Sequence, residues 1–313
     1  MARSYRYLHY DVFTSRAFAG NQLAVYLDGR GLSADAMQAI AKEMNFSETT
    51  FVLPPEAKGT DTRMRIFTPG SELPMAGHPV IGSTFALARA GVIEAGRERF
   101  TFGLGVGPLP VSLQWKGSEL RFVWMTQLKP TFDDPIANPA RAAAALSLPP
   151  KAVTAGQPVQ VVSCGVPFLF VPLATRRAVD RAVFDRTEYA ALVDSLATRP
   201  NGVFVFSAEQ FGARGHRIGQ HSGRATVYSR MFAPDLGVAE DPATGSASGP
   251  LGCYLVRHRI VTNETAGAML SLQGVKMGRP SEIHISIGLR GGEISSVQVG
   301  GESVLAGEGT LYV

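Results

Sequence analysis

The segment Glu240-Asp241-Pro242-Ala243-Thr244-Gly245-Ser246-Ala247-Ser248-Gly249-Pro250-Leu251-Gly252-Cys253-Tyr254-Leu255 falls into two parts. Its front is a tight turn of residues that preset turn dihedrals or tolerate positive φ. From about Ser246 it becomes a run of small and apolar residues with no charge before Arg257. A helix of that composition has no polar face and is expected to be buried all round. Pro250 fits if it lies in the first turn, where a missing N–H costs little. The free N–H groups and positive dipole end would then face whatever sits in the turn, a ready place for a carboxylate.

The same arrangement occurs earlier. Glu72-Leu73-Pro74-Met75-Ala76-Gly77-His78-Pro79-Val80-Ile81-Gly82-Ser83-Thr84-Phe85-Ala86-Leu87 is again a Pro/Gly turn opening into an uncharged helix. Upstream, Arg65-Ile66-Phe67-Thr68-Pro69 matches Arg230-Met231-Phe232-Ala233-Pro234. Strand, Pro turn, polar Gly turn and buried helix follow in that order in each half. A duplicated molecule of two lobes is the simplest account, with a small anionic ligand expected between the two helix N-termini.

The totals agree with this picture. A chain of 313 residues exceeds what one core usually supports. Apolar content of 45% and charged content of 18% describe a folded protein, and a net charge of +4 with scattered arginines does not argue for nucleic acid. No stretch is long enough to span a membrane, and Met1-Ala2-Arg3-Ser4-Tyr5-Arg6 carries no apolar signal core. The two cysteines, Cys164 and Cys253, lack CxxC spacing and suggest buried, reduced thiols. A cytoplasmic location is expected.

Alternation and turn signals predict strands over 5–13, 23–27, 50–53, 63–68, 99–102, 109–115 and 120–125. Ser33 is expected to cap a helix through about Met44, with Met37, Ile40, Ala41 and Met44 on one face. The Pro- and Asp-rich residues 129–150 read as a linker. Beyond it, strands are predicted over 159–163, 168–171, 202–206, 226–232, 269–273, 283–287, 294–299 and 305–313, with a helix over 187–197. The fold class is therefore α+β: two pseudo-symmetric lobes, 1–128 and 129–299, each a sheet wrapped around its buried helix.

Three residues stand out for chemistry. Glu48 sits at a helix-to-strand corner with apolar strand following; a carboxylate against apolar walls has a raised pKa and can carry a proton, while an exposed corner glutamate is the plain alternative. His78 lies at the mouth of the first buried helix, where it could donate to a carboxylate, move a proton or simply cap. Asp241 could accept a hydrogen bond from a substrate or serve an Asx turn. Gly77, Gly245 and Ser246 offer backbone and hydroxyl donors to an anion, or merely permit the turns. His216 and His221 lack a third ligand or a helical HExxH frame, so no metal is expected. No dinucleotide fingerprint or GxSxG elbow occurs, and no cofactor is expected.

Together these residues resemble the PhzF family of phenazine-biosynthesis-like isomerases, within the diaminopimelate-epimerase-like fold. The resemblance is carried by Asp11-Val12-Phe13-Thr14, Gly20-Asn21, Met37-Gln38-Ala39-Ile40-Ala41, Asn45-Phe46-Ser47-Glu48-Thr49 and Arg65-Ile66-Phe67-Thr68-Pro69. The turn-and-helix segments around His78 and Asp241, and Gly278-Arg279-Pro280-Ser281, complete it. It implies two β-barrel lobes, each around a central helix, with C-terminal strand 300–313 returning to complete the first, a site in the cleft between them, and a homodimer. It implies Glu48 as the proton carrier, with His78 and Asp241 as catalytic partners and Asn21, Gly77, Gly245 and Ser246 as substrate-binding residues. Racemases of this fold shuttle the proton between two cysteines; here the first motif has none and Cys253 lies inside the second helix. Gln22 stands where the family often has Pro, and Met75 where Phe is frequent, so the dihydro-hydroxyanthranilate substrate of phenazine enzymes does not transfer directly. The expected function is a cofactor-independent isomerase of a small carboxylic acid. An epimerase or dehydratase using the same cleft, or a non-catalytic binder, is the alternative.

Overall fold

The computed structural model describes residues 3–208 and 226–313. The loop carrying His216 and His221 lies outside the described residues. The chain divides into two compact units, one of residues 1–126 with 299–313 and the other of residues 127–298.

The first unit opens with β1 (Ser4–Val12), β2 (Asn21–Tyr26), α1 (Ala34–Met44) and β3 (Glu48–Leu53). It continues with β4 (Thr62–Phe67), β5 (Glu72–Leu73), α2 (Gly77–Arg89), β6 (Arg99–Leu104), β7 (Gly107–Lys116) and β8 (Glu119–Gln127). The C-terminal strand Ser303–Tyr312 pairs antiparallel with β1. The ladder runs on with β1–β2 antiparallel, β2–β3 parallel, β3–β4 antiparallel, β4–β6 parallel and β6–β7 antiparallel. Helix α1 is the amphipathic one: the Ser33 hydroxyl accepts from the Ala36 N–H, Met37, Ile40 and Ala41 are buried, and Asn45 ends the helix in the left-handed conformation.

Helix α2 is of the other kind. Every residue from Gly77 to Leu87 is buried, because the segment has no charged side chain to keep in water. It packs against β1, β2, β3 and the C-terminal strand. Close approach needs glycine at Gly82, where a Cβ would lie 2.6 Å from Leu23 and Val12 side-chain carbons. Two of the hydroxyls this burial traps are satisfied locally: Ser83 lies 3.0 Å from the Thr50 hydroxyl, and Thr84 Oγ1 donates to the Val80 carbonyl at 2.7 Å.

The second unit contains β9 (Thr131–Phe132), α3 (Pro139–Ala144), β10 (Gln160–Ser163), β11 (Pro167–Pro172), α4 (Arg176–Arg181) and α5 (Arg186–Val193). It goes on through β12 (Val203–Ser207), β13 (Val227–Ala233), β14 (Val238–Asp241), α6 (Gly245–Arg257), β15 (Met269–Gln273), β16 (Ser281–Arg290) and β17 (Glu293–Gly301). Its ladder repeats the senses of the first: β10–β11 antiparallel, β11–β12 parallel, β12–β13 antiparallel, β13–β15 parallel and β15–β16 antiparallel. Helix α6 is buried over Ala247 to Leu255 as well as at Gly245, and a Cβ on Gly252 would lie 2.5 Å from Ile285 Cγ2.

Two expectations need correction. Pro250 is not in the first turn; α6 begins at Gly245 and Pro250 lies inside it, so its missing N–H takes a rung from the ladder at the Ser246 carbonyl. Residues 129–150 are no linker either. They hold β9 and α3, and Ala142, Ala143, Leu146 and Leu148 enter an apolar cluster with Val159, Leu169 and Leu192. Alanines this small let a short helix sit close to the sheet, which a Pro- and Asp-rich composition conceals.

Candidate active site

Three chain starts meet at one place in the first unit. Asn21 opens β2, Glu48 opens β3 opposite Leu23, and His78 is the second residue of α2. The His78 Nε2 lies 3.2 Å from Glu48 Oε2, with side-chain exposures of 3% and 13%. That burial separates Glu48 from an ordinary surface glutamate. On the other side of the ring, His78 Nδ1 lies 3.1 Å from the Asn21 amide nitrogen, and the Ser47 hydroxyl donates to Asn21 Oδ1 at 3.1 Å. Burial pushes the His78 pKa down to about 3, and a hydrogen bond with the Gln22 backbone offsets only part of that. The ring is therefore neutral at physiological pH and faces Glu48 as a dipole, not as a cation.

In the second unit Asp241 ends β14 opposite Met231 and is buried. Its Oδ2 accepts from the Thr244 hydroxyl at 2.5 Å. Gln273 binds the same turn three ways: its Nε2 donates to the Asp241 carbonyl at 2.7 Å and to Thr244 Oγ1 at 2.9 Å, while its Oε1 accepts from the Thr244 N–H at 3.1 Å. Gln127 Nε2 donates to the Gly245 carbonyl at 2.9 Å. Thus Asp241, Gly245 and Ser246 stand on a braced turn at the head of α6. Gln127, Thr244 and Gln273 were absent from the sequence expectations. For Gln273 the available signal was a glutamine ending the largely apolar strand Met269–Gln273, which needs a buried partner.

The two long buried helices differ from the others at their N-termini. Ser33, Asn138, Thr175 and Asp185 cap α1, α3, α4 and α5 through their side chains. Neither Ala76 before α2 nor Thr244 before α6 makes a side-chain cap. The first N–H groups of a helix have no partner within it, so these two ends keep donors for another acceptor.

The thiols of Cys164 and Cys253, 89 positions apart, share a hydrogen bond at 3.9 Å, form no disulfide, and are buried among apolar side chains. The neighbouring Cys164 sulfur and burial hold the Cys253 thiol far above its ordinary range. Among the described residues, no group of three His, Cys, Asp or Glu is arranged to hold a metal ion. No described helix is long and apolar enough to cross a membrane.

Sheet-rich units with few helices define the class: an α+β protein with an acid–imidazole pair at the head of a buried helix. Comparison with known proteins takes this to a family. The profile described as "Phenazine biosynthesis-like protein" (PhzC-PhzF) matches residues 10–309. The chain is 36% identical to the trans-2,3-dihydro-3-hydroxyanthranilate isomerase of Pseudomonas aeruginosa, over 99% of this chain and 100% of that one. It is also 36% identical to an uncharacterized isomerase of Mesorhizobium japonicum, over 98% of each. The crystal structure of a PhzF-family phenazine biosynthesis protein from Bacillus anthracis superposes with a TM-score of 0.83 at 24% identity, covering 99% of this chain and 100% of that one; it supports the fold alone. The chain belongs to the phenazine biosynthesis-like PhzC-PhzF family, and the class of its relatives makes it an isomerase.

Proposed function

We propose that this isomerase moves a proton within a small, cyclic or unsaturated carboxylic acid, in a cleft between two barrel-like lobes and without a cofactor. The Glu48 carboxylate removes a proton from a carbon activated by the neighbouring unsaturation. The electron pair shifts along the conjugated system, and the same carboxyl group returns the proton at another carbon, so the formula is unchanged. His78, neutral, orients Glu48 and the substrate. Asp241 accepts a hydrogen bond from a substrate amine or hydroxyl. Gly77, Gly245 and Ser246, at the two helix heads without side-chain caps, receive the substrate carboxylate.

The observation that carries this reading is the Glu48–His78 pair, 3.2 Å apart and nearly withdrawn from water. A binding protein needs an anion cradle but has no use for a proton carrier beside it. The substrate named for the Pseudomonas relative, an unsaturated cyclic amino acid, is of the required class. Gln22, and Met75 in the apolar interior, are departures that favour a different member of that class.

The test is proton exchange. Trans-2,3-dihydro-3-hydroxyanthranilate and a panel of unsaturated and cyclic amino and hydroxy acids are incubated with the protein in D₂O and followed by NMR. Deuterium wash-in that disappears in Glu48→Gln supports the reading. Exchange that survives Glu48→Gln removes Glu48 from its role. Binding without exchange across the panel identifies a binder, and inversion at the exchanging carbon identifies an epimerase.

A further inference from the structure

We propose that Asn21 and Ser47 are positioning residues that decide which nitrogen of His78 carries its proton. Asn21 has no exposed surface, and its amide faces two neighbours of the first unit at once. The Ser47 hydroxyl donates to its Oδ1 at 3.1 Å, and its amide nitrogen lies 3.1 Å from His78 Nδ1. A ring nitrogen that accepts a hydrogen bond has no proton of its own, so the proton of the neutral ring sits on Nε2. Nε2 is the nitrogen 3.2 Å from Glu48 Oε2.

The consequence is directional. With the proton on Nε2, the ring turns a positive edge toward the Glu48 carboxylate 3.2 Å away. With the proton on Nδ1, it would offer a lone pair, and two acceptors would face each other in a site from which water is nearly excluded. The Gln22 backbone competes for a ring N–H, and the Ser47–Asn21 pair is what biases the outcome. This revises the sequence expectation for Asn21. Its amide is committed inside the protein, where it acts on substrate only through His78. The functional meaning rests on Glu48 and His78 being the reacting pair, but the test needs no substrate and so fails independently of that reading.

The test is the tautomer itself. Long-range ¹H–¹⁵N correlation on histidine-labelled protein at neutral pH distinguishes protonated from bare ring nitrogens, with His78 assigned by its loss in His78→Gln. The expected wild-type result is a protonated Nε2 and a bare Nδ1. Asn21→Asp puts an acceptor where the donor was and is expected to move a proton onto Nδ1. Ser47→Ala frees Oδ1 to rotate toward the ring and is expected to give a mixture, which Ser47→Thr restores to the wild-type pattern. A wild-type ring protonated on Nδ1, or an Nε2 proton unmoved in Asn21→Asp, overturns the proposal. If Asn21→Asp does not fold, Ser47→Ala decides: an unchanged wild-type pattern there also overturns it.

Discussion

Each unit carries an arginine clamp ahead of its buried helix, and the two differ in one respect that makes a sharp test. Arg65 binds both Glu72 oxygens at 2.7 and 2.6 Å and lies over the Phe67 ring. Arg230 binds both Glu240 oxygens at 2.8 Å and lies over the Phe232 ring. In the first clamp the side chains are 17% and 42% exposed; in the second they are 8% and 17% exposed. Removing one partner of a buried pair leaves an uncompensated charge and costs about 3–5 kcal/mol, whereas an exposed pair contributes about 1 kcal/mol or less. Arg230 Nη1 also donates to the Val179 and Ala182 carbonyls at 3.0 and 2.8 Å, which softens the loss toward the lower figure. Glu240→Gln is therefore expected to cost about 3 kcal/mol and Glu72→Gln no more than about 1 kcal/mol. At roughly 2–4 °C per kcal/mol for units of this size, that is about 6–12 °C against at most about 4 °C in a thermal unfolding scan. Equal shifts, or a larger one for Glu72→Gln, would refute the claim that burial separates the two clamps.

Further outcomes follow from single groups. The unfolded chain protonates His78 below its ordinary value of 6.5, while the folded chain holds it neutral down to about 3. The unfolded state therefore binds the extra proton throughout that window, and stability falls as pH falls through it. Urea titrations at pH 7 and pH 4.5 should show wild type losing about 2–3 kcal/mol more than His78→Gln; equal losses in both would show that His78 is not held neutral. The Cys164 and Cys253 thiols should ignore a disulfide reagent such as DTNB in native buffer and react together once urea unfolds the second unit; rapid labelling of the native protein would contradict their burial.

Much of this architecture is legible because burial leaves a compositional mark. Residues 77–88 and 245–256 contain no charge, and a helix without charge has no face to show to water. Ser33 and Asn45 bracket α1 in the expected manner for the same kind of local reason. What escaped is short or non-local. Helices α3 and α4 have six residues each, too few for a helical period to register. Pro250 looked like a first-turn proline because the chain does not announce that the helix starts as early as Gly245. Glu48 and His78 were visible as candidates by their positions at element boundaries. The bond joining Asn21 to His78 spans 57 positions, and no spacing rule encodes it. The buried amide of Gln273 was likewise readable only as a polar residue ending a largely apolar strand, and that of Gln127 lies at the end of a strand that also carries Glu119 and Arg121.

The repeat keeps its scaffold and divides its chemistry. Thr50 stands opposite Ile66 in the first unit, and Phe204 opposite Met231 in the second. Because Arg65-Ile66-Phe67 corresponds to Arg230-Met231-Phe232, Thr50 corresponds to Phe204, and two residues earlier Glu48 corresponds to Gly202. Counting from the helix heads, Gly77 matches Gly245, so His78 matches Ser246 and Leu73 matches Asp241. The registers agree: Ile66 faces Leu73 as Met231 faces Asp241. Each copy thus retains the arginine clamp and the buried helix, which serve folding. The acid–imidazole pair stays in the first copy, and the buried aspartate and the serine at the helix head stay in the second. A symmetric racemase would want like groups at like positions, one on each face of its carbon. An isomerase with one proton carrier gains nothing from a second. The distribution of Glu48, Gly202, Leu73 and Asp241 favours the single-carrier design.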